Sequence, residues 1–380
     1  MLIISLSLLS SCIWKENSVA HPLPYIAPPL LNINPVEKQQ LSNRVASYFK
    51  ESLLRYEGIF SGGILVAKGG HVLFEHYAGF TDYPKKIQPL QEDSPLHIAS
   101  TSKTFTAIAI LQLVQQQKIS LDDTLELFFE KWPYPGVTIK QLLTHRSGLP
   151  NYTYFMEADK QGKLAYTNKD IIDWMIQHKP APHARPDSRF EYCNTNYLLL
   201  ATLIEKTSGY SYPEFLRRSI FTFLSMKNTF VFEPADAVKA TPSFVNSSQS
   251  WPLDHLDLTY GDKNIYSTPR DLLKWDQALY TKQLVSDSLL DLAFTPYSFE
   301  RPGQHNYGLG FRLKLLTNQK KIIYHFGRWH GNNAVFARLT DEQVTVIILG
   351  NKFNRQIYTA ASKSYSLFGP YGGKQQRDEE

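Results

Sequence analysis

Ser100 and Lys103, in the run Ile98-Ala99-Ser100-Thr101-Ser102-Lys103-Thr104-Phe105-Thr106, are the residues whose types and spacing most directly suggest chemistry. Three positions apart on a helix, a serine and a lysine are neighbours across one turn. The amine is then placed to take a proton from the hydroxyl. Residues 107–114 are apolar almost all round, which predicts a buried helix. Burial desolvates an ammonium and makes its neutral, proton-accepting form accessible. The pair therefore reads as an activated nucleophilic serine with a lysine partner. The competing reading of Ser100 is an ordinary polar helix start, because serine is a favoured N-cap. Ser47-Tyr48-Phe49-Lys50 has the same spacing, but there Val45, Phe49, Leu53 and Leu54 recur among polar residues. That pattern predicts an amphipathic surface helix over 41–54 with Lys50 in water.

Two further constellations lie downstream. Tyr192-Cys193-Asn194 precedes an apolar helix over 197–204. A phenol near ammonium groups can carry a proton to and from a serine, and an asparagine amide offers donor and acceptor to a substrate amide. Tyr166-Thr167-Asn168 has the same form, but it precedes Lys169-Asp170 and reads as an exposed helix start with Asn168 as N-cap. His325-Phe326-Gly327 ends the apolar strand 322–324. Gly327 would let a backbone or a substrate approach the strand closely, and the Arg328 N–H could join that of Ser100 in an oxyanion hole. Taken alone, a histidine at a strand end is more often structural or solvated than catalytic.

In this order, Ser-x-x-Lys, Tyr-x-Asn and His-x-Gly resemble the serine β-lactamase and penicillin-binding protein superfamily. The likeness is to its class C β-lactamase-like and D-alanyl-D-alanine carboxypeptidase-like branch. Further matching stretches are Leu142-Leu143-Thr144-His145-Arg146-Ser147-Gly148-Leu149-Pro150, the segment 261–273, and Tyr307-Gly308-Leu309-Gly310-Phe311. The resemblance runs from about Phe60 to Asn351. It implies Ser100 as acylated nucleophile, Lys103 as base or proton relay, Tyr192 as second acid/base and Asn194 as substrate contact. It places His325 where many relatives carry a lysine that favours a substrate carboxylate, so that charge would depend on pH. It gives His145 and Arg146 a turn-organising role, makes 261–268 a cleft wall and sets Tyr266 near the substrate. Phe223-Leu224-Ser225-Met226 departs from the usual Pro-Leu-Gly-Met, and Lys263-Asn264 from a commoner glycine pair. These departures bear on loop shape rather than on the reaction.

Positioning such groups takes a large scaffold, and 380 residues with 43% hydrophobic and 20% charged side chains supply one. Gly62-Gly63-Ile64-Leu65-Val66-Ala67 and Val72-Leu73-Phe74-Glu75-His76-Tyr77 flank Gly69-Gly70 and predict a hairpin. Strand patterns return over 321–324, 334–339 and 344–349, while 121–292 reads as mainly helical. The expected fold is α/β (α+β): an antiparallel sheet built from both termini, flanked by helices, with an inserted helical subdomain. The net charge of +5 and the lack of a dense basic run disfavour nucleic acid as a partner. No His/Cys/Asp/Glu group has ligand spacing, so neither metal nor cofactor is implied.

Leu9-Ser10-Ser11-Cys12 follows an apolar stretch and resembles the lipobox of bacterial lipoproteins, with Cys12 as the lipidated residue, although the usual positive n-region is missing. The expected organisation is a signal segment 1–12, a tether 13–40, one catalytic domain 41–370 and a polar tail 371–380. Cys193 would be an unpaired thiol. The functional expectation is an exported, lipid-anchored serine hydrolase acting through an acyl-enzyme on amides or esters, D-alanyl-D-alanine carboxypeptidase-like or esterase/amidase. Its partners would be a peptide or small-molecule substrate, such as a peptidoglycan stem peptide, with membrane contact only through the lipid. The alternatives are a β-lactamase, an acylatable penicillin-binding or sensing module without turnover, and a lipid-anchored structural protein.

Overall fold

The computed structural model describes residues 23–83, 85–158 and 163–372. Cys12 and the signal segment lie outside the described residues. The helices are α1 (Pro35–Glu51), α2 (Ser102–Gln115), α3 (Ile139–Leu143), α4 (Tyr152–Ala158), α5 (Asn168–His178), α6 (Asn194–Ser208), α7 (Tyr212–Leu216), α8 (Pro269–Ala278), α9 (Asp287–Ala293) and α10 (Gln356–Ser364). The strands are β1 (Gly62–Lys68), β2 (His71–Ala78), β3 (Leu96–His97), β4 (Phe230–Val231), β5 (Ser243–Asn246), β6 (Gln249–Trp251), β7 (Ile265–Ser267), β8 (His305–Tyr307), β9 (Arg312–Leu315), β10 (Lys321–Trp329), β11 (Asn332–Leu339) and β12 (Val344–Gly350).

One antiparallel, seven-stranded sheet runs in the order β2-β1-β12-β11-β10-β9-β8. The first hairpin of the chain therefore pairs with its last strand, Gly62 opposite Gly350 and Lys68 opposite Val344. Side chains alternate between faces. Ile64, Val66, Val335, Ala337, Val346 and Ile348 pack with Val45 and Phe49 of α1 and Ile357 and Ala361 of α10. Leu65, Ala67, Ala334, Phe336, Ile347 and Leu349 pack on the other face, in the core that holds α2, α6 and α8.

α2 is buried along nearly its whole length, as its all-round apolar composition requires. In α1, by contrast, only Leu41, Val45 and Phe49 are buried, and Ser47 and Lys50 are exposed. α1 begins earlier than the sequence pattern suggests because Asn34 caps it, accepting from the Val36 N–H at 2.9 Å, and Pro35 occupies the first turn. The C-terminal part of the expected tether is correspondingly bound to the body: Leu31 N–H donates to Gly69 O at 2.9 Å and Ile26 N–H to Gln283 Oε1 at 2.8 Å. At the other end Tyr371 is buried and donates to Glu342, so packing extends into the expected tail.

The region 121–292 contains α3 to α8 and most of α9, and also short strands, with β7 paired between β3 and β4, and β5 paired with β6. β10 is longer than expected. It continues past 324 because Arg328 and Trp329 still find partners in Asn333 and Asn332 of β11. Among the described residues, no helix is long and apolar enough to cross a membrane.

Candidate active site

Ser100 lies on a 3-10 turn, Ala99–Thr101, that leads into α2, and the N-cap position of α2 belongs to Thr101 rather than to Ser100. The residue before it, Ala99, has φ 47°, a left-handed conformation that costs energy outside glycine. His97 braces this strained turn, its Nδ1 accepting the Ala99 N–H at 3.1 Å. With Nδ1 as acceptor, the proton sits on Nε2, which donates to Asn264 Oδ1 at 3.0 Å. Burial pushes His97 down to about 4, so the imidazole is neutral at neutral pH.

Lys103 is fully buried and is held by three acceptors. Its Nζ donates to Ser100 Oγ at 3.1 Å, Asn194 Oδ1 at 2.9 Å and Asp262 O at 2.7 Å. Asn194 opens α6, so one helix start supplies its amide and the Tyr192 just before it. The carbonyl of Asn194 is committed to Lys103, which leaves its NH2 for a substrate. The Tyr192 ring lies 5.0 Å from Lys103 Nζ and 5.1 Å from the Arg312 guanidinium carbon, in cation–π range of both.

Gly327 explains how β10 can pass so close to the nucleophile. A Cβ there would stand 2.5 Å from Ile98 O and 2.8 Å from Ser100 N, so only glycine fits. Arg328 follows on the strand with its side chain exposed, which leaves its main chain as the part that borders this contact. Gly310 plays a similar part beneath α2. It has φ 86°, and a Cβ there would meet Ala107 Cβ at 2.3 Å.

His325 departs from expectation. It is fully buried; its Nδ1 lies 2.7 Å from Phe326 O, and its Nε2 3.0 Å from Tyr307 Oη. A carbonyl only accepts, so Nδ1 carries the proton and Nε2 accepts from the Tyr307 hydroxyl. Burial, with Arg312 and Lys103 nearby, holds His325 well below its ordinary value. It is a neutral, internally bonded wall of the site. The cation close to this wall is Arg312, the residue after the Gly-Leu-Gly-Phe stretch, which pattern reading passed over because a strand-start arginine looks like an ordinary surface charge.

Tyr266 is also displaced from its expected role. It is 5% exposed, with its ring 4.9 Å from that of His97 and stacked 5.5 Å from that of Phe230. It supports the wall from behind rather than lining the cleft. The contact that 261–268 does make with the site is the Asp262 carbonyl.

Behind that carbonyl lies a buried polar cluster. Tyr152 Oη donates to Asp262 Oδ2 at 2.9 Å, and Lys263 Nζ donates to Tyr152 and Thr259 and lies 4.5 Å from the centre of the Trp329 ring. Burial lowers the Lys263 ammonium, while Asp262 and Asp257 oppose that shift. Asn264 takes φ 74° and donates to Thr259 O at 2.9 Å. Ser225, the other departure from a family glycine, has φ 54°. Both loops thus keep left-handed backbone without glycine.

The remaining sequence signals fall outside the centre. Thr167, not Asn168, caps α5, and Asn168 is buried, bonded to Tyr260 N–H and O. Arg146 is paired with Asp187 at 2.6 Å and with Glu300. Cys193 is a buried free thiol that burial pushes up to about 11. Asp254, Asp257 and His330 bring ligand-type atoms within 4.8 Å of one another. The Asp257 oxygens, however, already accept from Trp329 Nε1 at 2.6 Å, from His330 Nε2 at 2.9 Å and from the Asp254 N–H. That group is a clasp on the β10–β11 turn. Two surface cavities, of about 610 and 750 Å³, lie among 81–95 with 237–250 and among 211–239, and neither is lined by Ser100 or its partners.

Comparison with known proteins bears on the family and the fold. A family model described as Beta-lactamase matches residues 50–363. Penicillin-binding protein 4* of Bacillus subtilis (strain 168) is 32% identical over 332 residues, which span 82% of this chain and 73% of that protein. D-aminopeptidase of Brucella anthropi is 26% identical over 304 residues, or 76% of this chain but only 56% of the relative's length. Among solved structures, a penicillin binding protein from Bacillus halodurans aligns with TM-score 0.75 at 25% identity, over 86% of this chain and 99% of its own. FmtA from Staphylococcus aureus has the same fold, with TM-score 0.70 at 21% identity over 94% of this chain and 97% of its own. From the match over residues 50–363 and the sheet that carries it, the chain belongs to the Beta-lactamase family of penicillin-binding-protein-like serine hydrolases.

Proposed function

We propose that this protein is an exported serine hydrolase that forms an acyl-enzyme on Ser100 and cleaves amide or ester bonds at D-amino-acid residues, with D-alanyl-D-alanine-type peptides the favoured class. The observation that carries the reading is the Lys103 ammonium site. A buried amine, 3.1 Å from a serine hydroxyl and fixed by two further acceptors, is costly to maintain and suited to handling that hydroxyl's proton. Ser100 Oγ bonds to the substrate carbonyl carbon, and its proton passes by way of Tyr192, or of Lys103 in its neutral amine form, to the leaving nitrogen or oxygen. The bond to the leaving group then breaks. Water, giving up a proton by the same route, releases the acyl group and restores Ser100. The Ser100 and Arg328 amides are the expected oxyanion donors.

The neutral His325 and the nearby Arg312 guanidinium support a substrate with a free carboxylate read by arginine. The names of the relatives, a penicillin-binding protein and a D-aminopeptidase, fit action on D-amino-acid compounds. Efficient β-lactamase action ranks below peptidase or esterase action, because the cation carried by many relatives in third place is here an uncharged imidazole. Lipid attachment at Cys12 completes the proposed setting, beside peptidoglycan.

The test is mass mapping after exposure of the folded protein to a fluorophosphonate and to benzylpenicillin. An adduct on Ser100 supports the reading, and an unmodified Ser100 with both reagents overturns it. A penicillin adduct that persists without turnover of any peptide or ester would instead favour the non-turnover binding module. Arg312→Gln should raise KM for carboxylate-terminated D-peptides by about tenfold, the scale of a charge-assisted hydrogen bond. Equal KM values would remove arginine from carboxylate recognition. Cys12→Ala should abolish incorporation of a labelled fatty acid, and unlabelled wild type would reject the anchor.

A further inference from the structure

His145 is a buried imidazole that the reaction just described does not use. It has φ 55°, a left-handed conformation that histidine adopts more readily than most residues. Its Nδ1 accepts the Cys193 N–H at 3.1 Å and faces the Asn196 amide nitrogen at 3.4 Å. The ring centre lies 4.3 Å from that of Tyr192, 5.1 Å from Tyr197 and 4.7 Å from Tyr307. Its main chain joins in as well, because the carbonyl accepts the Glu191 N–H at 2.8 Å. His145 therefore touches the segment 191–193 at backbone, ring and side-chain nitrogen.

From that geometry we infer that His145 is a positioning residue for Tyr192. Its neutral imidazole, protonated on Nε2, clamps the Tyr192-Cys193 backbone through Nδ1 and sets the phenol's orientation through ring contact. Nδ1 has donors facing it, so the proton belongs on Nε2, which has no hydrogen-bond partner. Burial, together with the positive charges of Lys103 and Arg312, keeps the ring uncharged. An imidazolium here would add a third positive charge beside a phenol already flanked by two. Loss of the acceptor would strand the buried Cys193 N–H and let Tyr192 shift. Misplacement of a reacting group by about 1 Å can cost on the order of a hundredfold in rate.

The inference rests on the serine-hydrolase reading for its kinetic consequence but not for its structural one, and the experiment separates them. His145→Asn keeps an acceptor near the Nδ1 position and tolerates left-handed backbone. His145→Phe keeps a ring and removes the acceptor. With a p-nitrophenyl ester, His145→Phe should lose about tenfold or more in kcat with little change in KM. His145→Asn should recover most of that loss. In parallel, 3-fluorotyrosine placed at position 192 should give one narrow fluorine resonance in the parent protein and in His145→Asn, and a broadened or divided one in His145→Phe. If His145→Phe keeps the parent kcat and a single narrow resonance, the inference is overturned. If the parent protein neither turns over ester nor labels at Ser100, yet the resonance responds as stated, the positioning role stands and the hydrolase reading fails. Should His145→Phe not fold, His145→Asn decides: a loss in kcat as large as that of Tyr192→Phe overturns the role assigned to the acceptor.

Discussion

The two faces of the seven-stranded sheet are built to different rules. Towards α1 and α10 the strands present Ile64, Val66, Val335, Ala337, Val346 and Ile348, and the helices answer with Val45, Phe49 and Ile357. Towards α2, α6 and α8 the same strands present apolar residues interleaved with buried polar ones: His325, Arg338 and Thr345 from the sheet, Lys103 and Asp276 from the helices. Arg338 Nε donates to Asp276 Oδ1 at 2.6 Å, and Thr345 Oγ1 to Asp276 Oδ2 at 2.6 Å, with both charged side chains essentially inaccessible. The first face stabilises by area removed from water. The second gives up part of that gain to hold charges and dipoles in fixed places, which water would otherwise screen. One sheet thus separates stability from chemistry by the period-2 alternation of its strands.

The largest expected effect breaks the catalytic face without touching the fold. Ser100→Ala should reduce acyl transfer by about 10⁴-fold or more, on the scale seen when a catalytic nucleophile is removed. Its thermal midpoint should stay near that of the parent; steady-state hydrolysis and calorimetry check both. Phe49→Ala should do the reverse. Phe49 is fully buried and stacked 5.6 Å from Phe74, so truncation should cost about 3–5 kcal/mol by the usual cavity penalty. Activity per folded molecule, measured by active-site titration, should be unchanged. A Phe49→Ala protein of parental stability would mean that the apolar face does not carry the load assigned to it.

Arg338→Ala sharpens the contrast on the polar face, because it leaves Asp276 buried without its counter-charge. The expected cost is about 3–5 kcal/mol in urea unfolding, and the double variant Arg338→Met with Asp276→Leu should recover much of it. An effect of comparable size follows from pH. His97 is held down to about 4, and His145 and His325 lie well below their ordinary value, chiefly through burial. In the unfolded chain these imidazoles bind protons below about 6.5. Between that pH and their folded values the unfolded state holds more protons, so stability is full above 6.5 and falls as pH drops through 6 and 5. Each group contributes a slope of up to about 1.4 kcal/mol per pH unit. Unfolding curves that coincide at pH 7.5 and 5.5 would contradict the neutral imidazoles.

Different parts of this architecture were legible in the sequence to different degrees. Ile64 to Ala67 and Val344 to Leu349 announce strands, and in the fold both are covered on two faces. Ser100 and Lys103 sit at a spacing that one helical turn explains, and the structure joins them by a single hydrogen bond. Tyr192 and Asn194 stand beside them because α6 starts at Asn194, three residues before the apolar run 197–204. What escaped was set by contacts distant in sequence. The charge state of His325 depends on its burial and on Arg312 and Lys103, all set by contacts distant in sequence, so the residue type alone suggests a switchable cation where the fold makes a neutral one. His97 looks like one more polar residue before the nucleophile until Asn264, 167 positions on, is seen to hold its other nitrogen. Tyr266 carried the family's cleft position in its motif, yet its ring is spent on His97 and Phe230.

The placement of β12 has a consequence for how the molecule comes into being. It is the last of the described strands to be made, and it is the one that joins the β1–β2 hairpin to β8 through β11. Ser100 belongs to the early half of the polypeptide and Gly327 to the late half, and they lie so close that a Cβ on Gly327 would clash with Ser100 N. A chain still leaving the ribosome therefore has no finished pocket until about residue 350 has emerged. The pocket closes in one late step, and a prematurely stopped product carries Ser100 and Lys103 without the completed sheet that walls them in.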